Sequence, residues 1–316
     1  MQSKSVLPKG SLAASDQTLS PEAVATRATA APPTLVAHRT IRRPFRRRGD
    51  WAIGLVLLIL GLLTFVPLIM LLELSLKSQQ QMADAMWLPA WPLYFKNYIK
   101  AWGVMQPYMV NSLNFSLGAV TVSIVCSTLS AYVLARYDFP GREFFYMAIL
   151  SLLMIPGVLT LITAFVVTVT LNLNNTYWGV WLPLAAGAQA FQIIVLRTFF
   201  ASLPGELFEA GRIDGAGELA MLLRIALPLA KPILSTLVVL QILNVWNEFI
   251  WPIMVLSDPS RYPAILGILR LGQLVTQRDP GAMYAGYVIS GIPLLLMFAF
   301  TSRSFIRGLT SGAIKM

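Results

Sequence analysis

Six long apolar stretches are the feature that most restricts how this chain can fold. A bilayer core requires about 20 consecutive apolar residues for each spanning helix. The sequence offers such stretches near 52–73, 109–134, 144–171, 177–198, 232–256 and 283–302. Only 12% of the 316 residues are charged, whereas an ordinary soluble domain carries about a quarter charged residues. The sequence therefore predicts an all-α membrane protein with six transmembrane helices over residues 51–316. Pro156 predicts a kink in the third helix.

The distribution of Lys and Arg predicts which loops face the cytoplasm. Of the 24 basic residues, eighteen lie in the N-terminal tail, the 135–143 loop, the 199–231 loop with Arg197, and the C-terminus. The other six lie in the segments 74–108 and 257–282. Cytoplasmic loops retain an excess of Lys and Arg. Both termini and the 199–231 loop are therefore predicted to be cytoplasmic.

Residues 1–50 are rich in Ala, Ser, Thr and Pro and show no apolar periodicity, which predicts a disordered basic cytoplasmic tail. No small-residue cleavage site follows the first apolar stretch, so we expect an uncleaved anchor rather than a secretory signal. An organelle transit peptide is the alternative, and Asp16, Glu22 and Asp50 count against it. A net charge of +10 also permits a nucleic-acid partner. In a membrane protein, however, a basic excess usually reflects retention of Lys and Arg on one side, and no nucleic-acid partner is expected.

Several classes of chemistry lack the residues they need. The single cysteine, Cys126, excludes an intrachain disulfide, and the single histidine, His38, has no Cys, Asp or Glu at metal-ligand spacing. No Gly-x-x-x-x-Gly-Lys-Ser/Thr loop occurs, so we expect the chain to hydrolyse no ATP. An integral membrane enzyme would need a cluster of reactive side chains on one side of the bilayer, and no cluster is evident. The sequence predicts a protein that is not an enzyme and has no metal or cofactor of its own.

A charged insert lies between the fourth and fifth apolar stretches. Ser202-Leu-Pro204 predicts the start of a helix, because proline in a first turn loses no hydrogen bond. This helix should continue until Gly215 and Gly217 interrupt it. A second short helix should carry residues 222–227 before Pro228 breaks it. The insert is therefore predicted to form two short helices joined by a bend.

The first of these helices is predicted to contact another protein. Leu207, Ala210 and Gly211 recur at helical spacing, which indicates a small apolar face that fits a groove on a partner. The alternative is a solvated connector whose glycines serve turns.

The register of the insert resembles the EAA loop of ABC importer membrane subunits. It contains Glu209-Ala-Gly, Asp214-Gly-Ala and a later Ile225-Ala-Leu-Pro. Gly211 stands where a third Ala is usual, and Leu222 stands where an aromatic residue is common. In that family this loop, the coupling helix, inserts into a cleft of the cytoplasmic ATPase. The resemblance assigns the ATPase contact to Glu209, Ala210, Gly211, Asp214 and Gly215.

Further segments, including Ala131 to Arg142 and Asn244 to Phe249, are similar to carbohydrate-importer permeases of the maltose-transporter type. This resemblance implies the transmembrane architecture of a type I ABC importer in a bacterial or archaeal plasma membrane. It implies a sugar or related polyhydroxy cargo. The implied partners are a homologous permease subunit in a heterodimer, two subunits that bind ATP and Mg²⁺, and an extracytoplasmic solute-binding protein. The alternative is an ion-gradient-driven secondary transporter or channel, for which several ionisable groups would be expected at mid-membrane depth.

Polar side chains in the spans are the candidates for a translocation pathway. Gln241, Asn244 and Glu248 recur at i, i+3 and i+7 on one predicted helix face. Such a stripe suits water or a hydroxyl-rich solute, and the alternative is that it bonds a neighbouring helix. The full candidate set is Gln189, Gln192, Gln241, Asn244, Asn247 and Glu248.

Overall fold

The computed structural model describes residues 48–275 and 279–313. The predicted tail and His38 therefore lie outside the described residues, apart from the last three tail positions. In the described parts of the chain, the regular structure is helical. The helices are α1 (Arg48–Ser75), α2 (Gln79–Asp84), α3 (Lys96–Arg136), α4 (Arg142–Leu152), α5 (Gly157–Thr170), α6 (Tyr177–Ala201), α7 (Gly205–Ile213), α8 (Glu218–Trp246), α9 (Ile250–Val255), a 3₁₀ turn (Pro259–Arg261), α10 (Ala264–Val275) and α11 (Pro280–Ala313).

The chain divides after Leu58 into two units. In the first unit the described residues form the beginning of α1, and the second unit contains all the remaining elements. Among the described residues, five helices are long and apolar enough to cross a membrane, namely α1, α3, α6, α8 and α11. The pair α4 and α5 supplies a sixth span if it is counted as one. The prediction of an all-α protein with six spans agrees with this architecture.

The third predicted span is broken rather than kinked. α4 and α5 meet at an angle of 103° across the residues between Leu152 and Gly157. Pro156 has an extended backbone at the start of α5. Proline lacks an amide donor and disfavours helical backbone in the residue before it, so the first helix cannot continue through this point.

Two other predicted spans have different limits. The second predicted span begins earlier, because α3 starts at Lys96 and continues for 41 residues. The fifth predicted span begins earlier and ends earlier, since α8 covers Glu218–Trp246. The expected break at Pro228 is wrong. Within α8, a π-helical turn at Leu222–Ala226 leads directly into the α-helical segment Leu227–Trp246. Pro228 lies in the first turn of that segment, where its missing amide donor is tolerated.

α3 is the central helix of the second unit. It packs against α6, α8, α10 and α11. α3 lies close to α6 at Gly118, where an added Cβ would lie 2.1 Å from Cε2 of Trp181. Only glycine allows the two helices to come this close without displacing the indole ring.

The described residues of the second unit contain three apolar clusters. One of them lies where α7 meets the ends of α3, α6 and α8, and it contains Tyr132, Leu196, Phe200, Phe208 and Met221. The other two join α3 to α10 and α11, and α3 to α6 and α9. We call the end of the unit that carries α7 the α7 end.

Candidate functional site

The predicted docking helix is present as α7. It begins at Gly205 after Pro204, whose extended backbone redirects the chain from α6. Glu206 lies in its first turn and Arg212 in its last, and both charges oppose the helix dipole. α7 ends at Ile213, and Gly215 then adopts a left-handed backbone with φ of +77°. A residue with a Cβ would be strained there, so glycine permits the sharp turn towards α8.

Two buried residues of α7 pack against the rest of the chain. Phe208 is 5% exposed and packs in the cluster at the α7 end. Gly211 is also buried, and a Cβ on it would lie 3.1 Å from Cδ1 of Ile225. Gly211 therefore lets α7 lie close against α8. These two residues define the inner face of α7.

The predicted apolar face contained Leu207, Ala210 and Gly211. Leu207 and Ala210 are exposed as expected, whereas the inclusion of Gly211 is wrong, because Gly211 is buried against α8. Successive residues are about 100° apart around a helix, so the side opposite the inner face carries Glu206, Glu209, Ala210 and Ile213. Ile213 is 86% exposed. We call these four residues the outer face of α7, and Asp214 and Gly215 continue it as exposed residues.

Glu218 joins the turn after α7 to both of its neighbours. Its carboxylate lies 3.3 Å from Nη2 of Arg212 in α7. The pKa of Tyr137, the residue that follows α3, is raised to about 12 by burial and then by its interaction with Glu218. The turn is thus tied to α3 as well as to α7.

A groove of about 440 Å³ lies between α6 and α8. It brings together four of the six pathway candidates, Gln192, Gln241, Asn244 and Asn247. Asn244 and Asn247 are exposed, whereas Gln192 and Gln241 are 2% and 4% exposed. The rest of the lining is small or apolar, namely Gly187, Ala188, Phe191, Leu237, Leu240 and Leu243. Among the described residues, no ionisable side chain lines this groove.

The buried amides of the groove also bond neighbouring helices. Nε2 of Gln241 donates to the carbonyl of Leu184 in α6 at 3.1 Å. Oε1 of Gln192 accepts from Oγ of Ser127 in α3 at 3.0 Å. These two glutamines therefore match the alternative interpretation, in which polar residues hold helices together, although they border the groove.

Two pathway candidates lie elsewhere. Nε2 of Gln189 donates to the carbonyl oxygens of Ser123 and Ala185, and Gln189 is not among the residues that line the groove. Glu248 was expected on a spanning helix, but α8 ends at Trp246. Oε1 of Glu248 accepts hydrogen bonds from the amides of Ile250 and Trp251, each at 3.0 Å, so Glu248 caps α9.

Sequence reasoning did not single out Arg136, Phe208 or Glu218, which connect α7 to its neighbours. The signal for Arg136 was a basic residue in the last turn of a long apolar helix. For Phe208 and Glu218, no periodic pattern in the sequence distinguishes a residue that packs against the rest of the protein from one that contacts a partner.

Comparisons with known proteins identify the family to which the chain is similar. Residues 123–311 match the family described as binding-protein-dependent transport system inner membrane component. The probable ABC transporter permease protein YurM of Bacillus subtilis is 31% identical over 274 residues, which are 85% of this chain and 91% of that protein. The sn-glycerol-3-phosphate transport system permease protein UgpE of Yersinia pestis is 34% identical over 279 residues, with 84% and 98% covered.

Two further similarities concern oligosaccharide and polysaccharide systems. The arabinooligosaccharides transport system permease protein AraQ of Halalkalibacterium halodurans is 36% identical over 215 residues, which are 67% of this chain and 75% of that protein. A crystal structure of a bacterial ABC transporter involved in the import of the acidic polysaccharide alginate has a TM-score of 0.73 and 24% identity. It covers 83% of this chain and 99% of that chain, which shows a shared fold.

Proposed function

The chain belongs to the family of binding-protein-dependent transport system inner membrane components, and we propose that it translocates a sugar or a related polyhydroxy solute. Its relatives are permease subunits of ABC transporters, so the chain is a multi-pass plasma-membrane subunit and not an enzyme. Relatives named for arabinooligosaccharide, diacetylchitobiose and sn-glycerol-3-phosphate transport support a polyhydroxy cargo.

The groove between α6 and α8 supports a neutral cargo. Amide side chains can both donate to and accept from hydroxyl groups, and Asn244 and Asn247 are exposed to the groove. The described lining carries no basic side chain to bind a phosphate or carboxylate. We therefore place an uncharged polyol or oligosaccharide on these two asparagines, with Gln192 and Gln241 supporting them.

We assign the outer face of α7 to a cytoplasmic ATPase. The face combines exposed apolar side chains with the carboxylates of Glu209 and Asp214, and a short helix of this kind fits a cleft on another protein. Gly211 lies on the inner face, and its role in this assignment is to allow the close packing of α7 on α8. Gly215 sets the turn that ends the docking helix.

The complete importer is proposed to contain this chain, a homologous permease, two ATPase subunits that bind ATP and Mg²⁺, and an extracytoplasmic binding protein. The α7 end is cytoplasmic in this proposal because the neighbouring segments carry most of the basic residues. ATP-driven closure of the ATPase pair would then move α7 and change which side of the membrane the groove faces. No observation favours the ion-gradient alternative, since the groove has no ionisable lining among the described residues.

The observation that carries the proposal is an exposed acidic and apolar face on a helix whose opposite side is buried at Phe208 and Gly211. The test uses the assembled importer in liposomes with Glu209→Lys or Gly215→Pro. The spans of both variants should remain inserted and folded, while ATP hydrolysis no longer drives uptake. Lys231→Glu is the matched control, because it reverses an exposed charge on α8 rather than on α7. Normal uptake in both α7 variants, with the ATPase bound as in the wild type, would refute the docking role.

A further inference from the structure

Arg136, the last residue of α3, holds α7 from the side opposite its outer face. The centre of its guanidinium lies 3.9 Å from the centroid of the Phe208 ring. Its Nη2 donates to the carbonyl oxygen of Leu203 at 2.8 Å. The Arg136 side chain therefore contacts both Leu203, in the segment that leads into α7, and Phe208, the buried residue at the middle of α7.

We propose that Arg136 is a positioning residue that makes α7 and α3 move as one body, so that displacement of α7 is passed to the pathway through α3. This inference rests on the proposed docking of α7 to an ATPase, and it adds a contact with α3 to the packing of Phe208 and Gly211 through which α7 acts on the spans. The covalent routes are the chain connections from α6 to α7 and from α7 to α8.

The covalent connection to α8 is poorly suited to transmit force. It contains Gly215 and Gly217 and is followed by the π-helical turn Leu222–Ala226. Glycine turns are conformationally permissive, and π-helical turns inside a longer helix often occur at functional sites. A displacement of α7 can be absorbed at these positions. A contact between α7 and α3 avoids them.

The chemistry of Arg136 exceeds what packing requires. Among the described residues, no carboxylate lies within ion-pair distance of it, and its Nε is buried without a hydrogen-bond partner. A partly buried cation without an anionic partner is costly. An apolar side chain could fill the same space without that cost. A planar guanidinium can stack on a ring and donate to a carbonyl in one fixed geometry, whereas a lysine ammonium has no planar face to stack.

α3 connects this contact to the groove. Ser127 lies nine residues before Arg136, which corresponds to about 13 Å along the helix. Its Oγ donates to Oε1 of Gln192 at 3.0 Å, and Gln192 lines the groove. The route therefore runs from α7 through Arg136 and α3 to a residue beside the proposed solute path.

The first experiment compares Arg136→Lys and Arg136→Met with the wild type in the reconstituted importer. Assembly with the ATPase and the thermal midpoint show whether each variant folds. Solute imported per ATP hydrolysed is the readout that a merely structural role would not change. We expect this ratio to fall by roughly tenfold in both variants, because both lose the stacked guanidinium. An unchanged ratio in both would refute the proposal, and full rescue by Lys would refute the requirement for a planar group.

The second experiment does not depend on the stability of an Arg136 variant. Spin labels replace Leu207, an exposed residue of α7 that lies outside the outer face, and Val133, an exposed residue of α3, after the exposed Cys126 has been changed to Ser. Their distance distribution is measured in the assembled importer with and without ATP. We expect the same distance in both states. A distance that changes with ATP would show that α7 and α3 move separately and would overturn the proposal.

Failure of the docking proposal is distinguishable from failure of this one. If docking is wrong, Glu209→Lys leaves uptake normal. If docking is correct and positioning is wrong, Glu209→Lys abolishes coupling while the distance between positions 133 and 207 changes with ATP.

Discussion

Glu248 is predicted to support stability rather than to contact the solute. Its carboxylate oxygen accepts hydrogen bonds from the backbone amides of Ile250 and Trp251, each at 3.0 Å. Trp251 is buried, and its Nε1 donates to the carbonyl of Gly179 at 2.9 Å, which links α9 to α6. Loss of the Glu248 side chain therefore leaves the first amides of α9 without a cap and loosens the link to α6.

The expected cost of Glu248→Ala follows from these bonds. Removal of an N-terminal cap costs about 0.5–2 kcal/mol, and bonds to an ionised acceptor fall at the upper end of such ranges. We therefore expect the free energy of unfolding to fall by about 2 kcal/mol. Glu248→Gln is the matched control, since it retains an acceptor oxygen and should recover about half of that loss.

The assay combines thermal unfolding of the purified permease with uptake by the reconstituted importer. Both variants should transport with normal substrate affinity at temperatures where they remain folded. The reasoning is refuted if Glu248→Ala unfolds at the wild-type temperature while uptake is lost. That result would return Glu248 to the pathway, where the sequence pattern had placed it.

Three other outcomes are expected. Asn244→Leu should lower uptake with little change in stability, whereas Gln241→Leu should lower the free energy of unfolding by about 1 kcal/mol because it removes a bond between helices; uptake kinetics and thermal unfolding separate the two. Gly118→Ala should lower stability by about 1–3 kcal/mol through overpacking against an indole ring, and Gly103→Ala, with open space around it, is the control. The folded protein holds the phenol proton of Tyr137 more tightly than the unfolded chain, with a pKa of about 12 against about 10. Its contribution to stability is complete below about pH 10 and is lost as the pH rises through 12. Tyr137→Phe should therefore lose less stability than the wild type over that interval. Thermal unfolding measured as a function of pH will test this.

Sequence patterns did not predict the break between α4 and α5 or the position of Glu248. Pro156 predicted a kink, yet the observed 103° break depends on how α4 and α5 pack separately against the rest of the chain. The stripe of Gln241, Asn244 and Glu248 assumed one continuous helix. Because α8 ends at Trp246, the third member of the stripe caps another helix instead.

Local sequence patterns were sufficient to predict the class of the protein, the approximate position of its spans and the start of α7. Backbone groups in a bilayer must be satisfied within the segment that carries them, so apolar length alone identifies spans, and proline identifies helix starts from local geometry. The direction in which each side chain faces depends on how the helices pack together. Spanning helices are apolar on nearly all sides, so periodicity does not show which residues face neighbouring helices. Contacts between distant residues place Gly211 against α8, the glutamines against adjacent helices and Arg136 on Phe208.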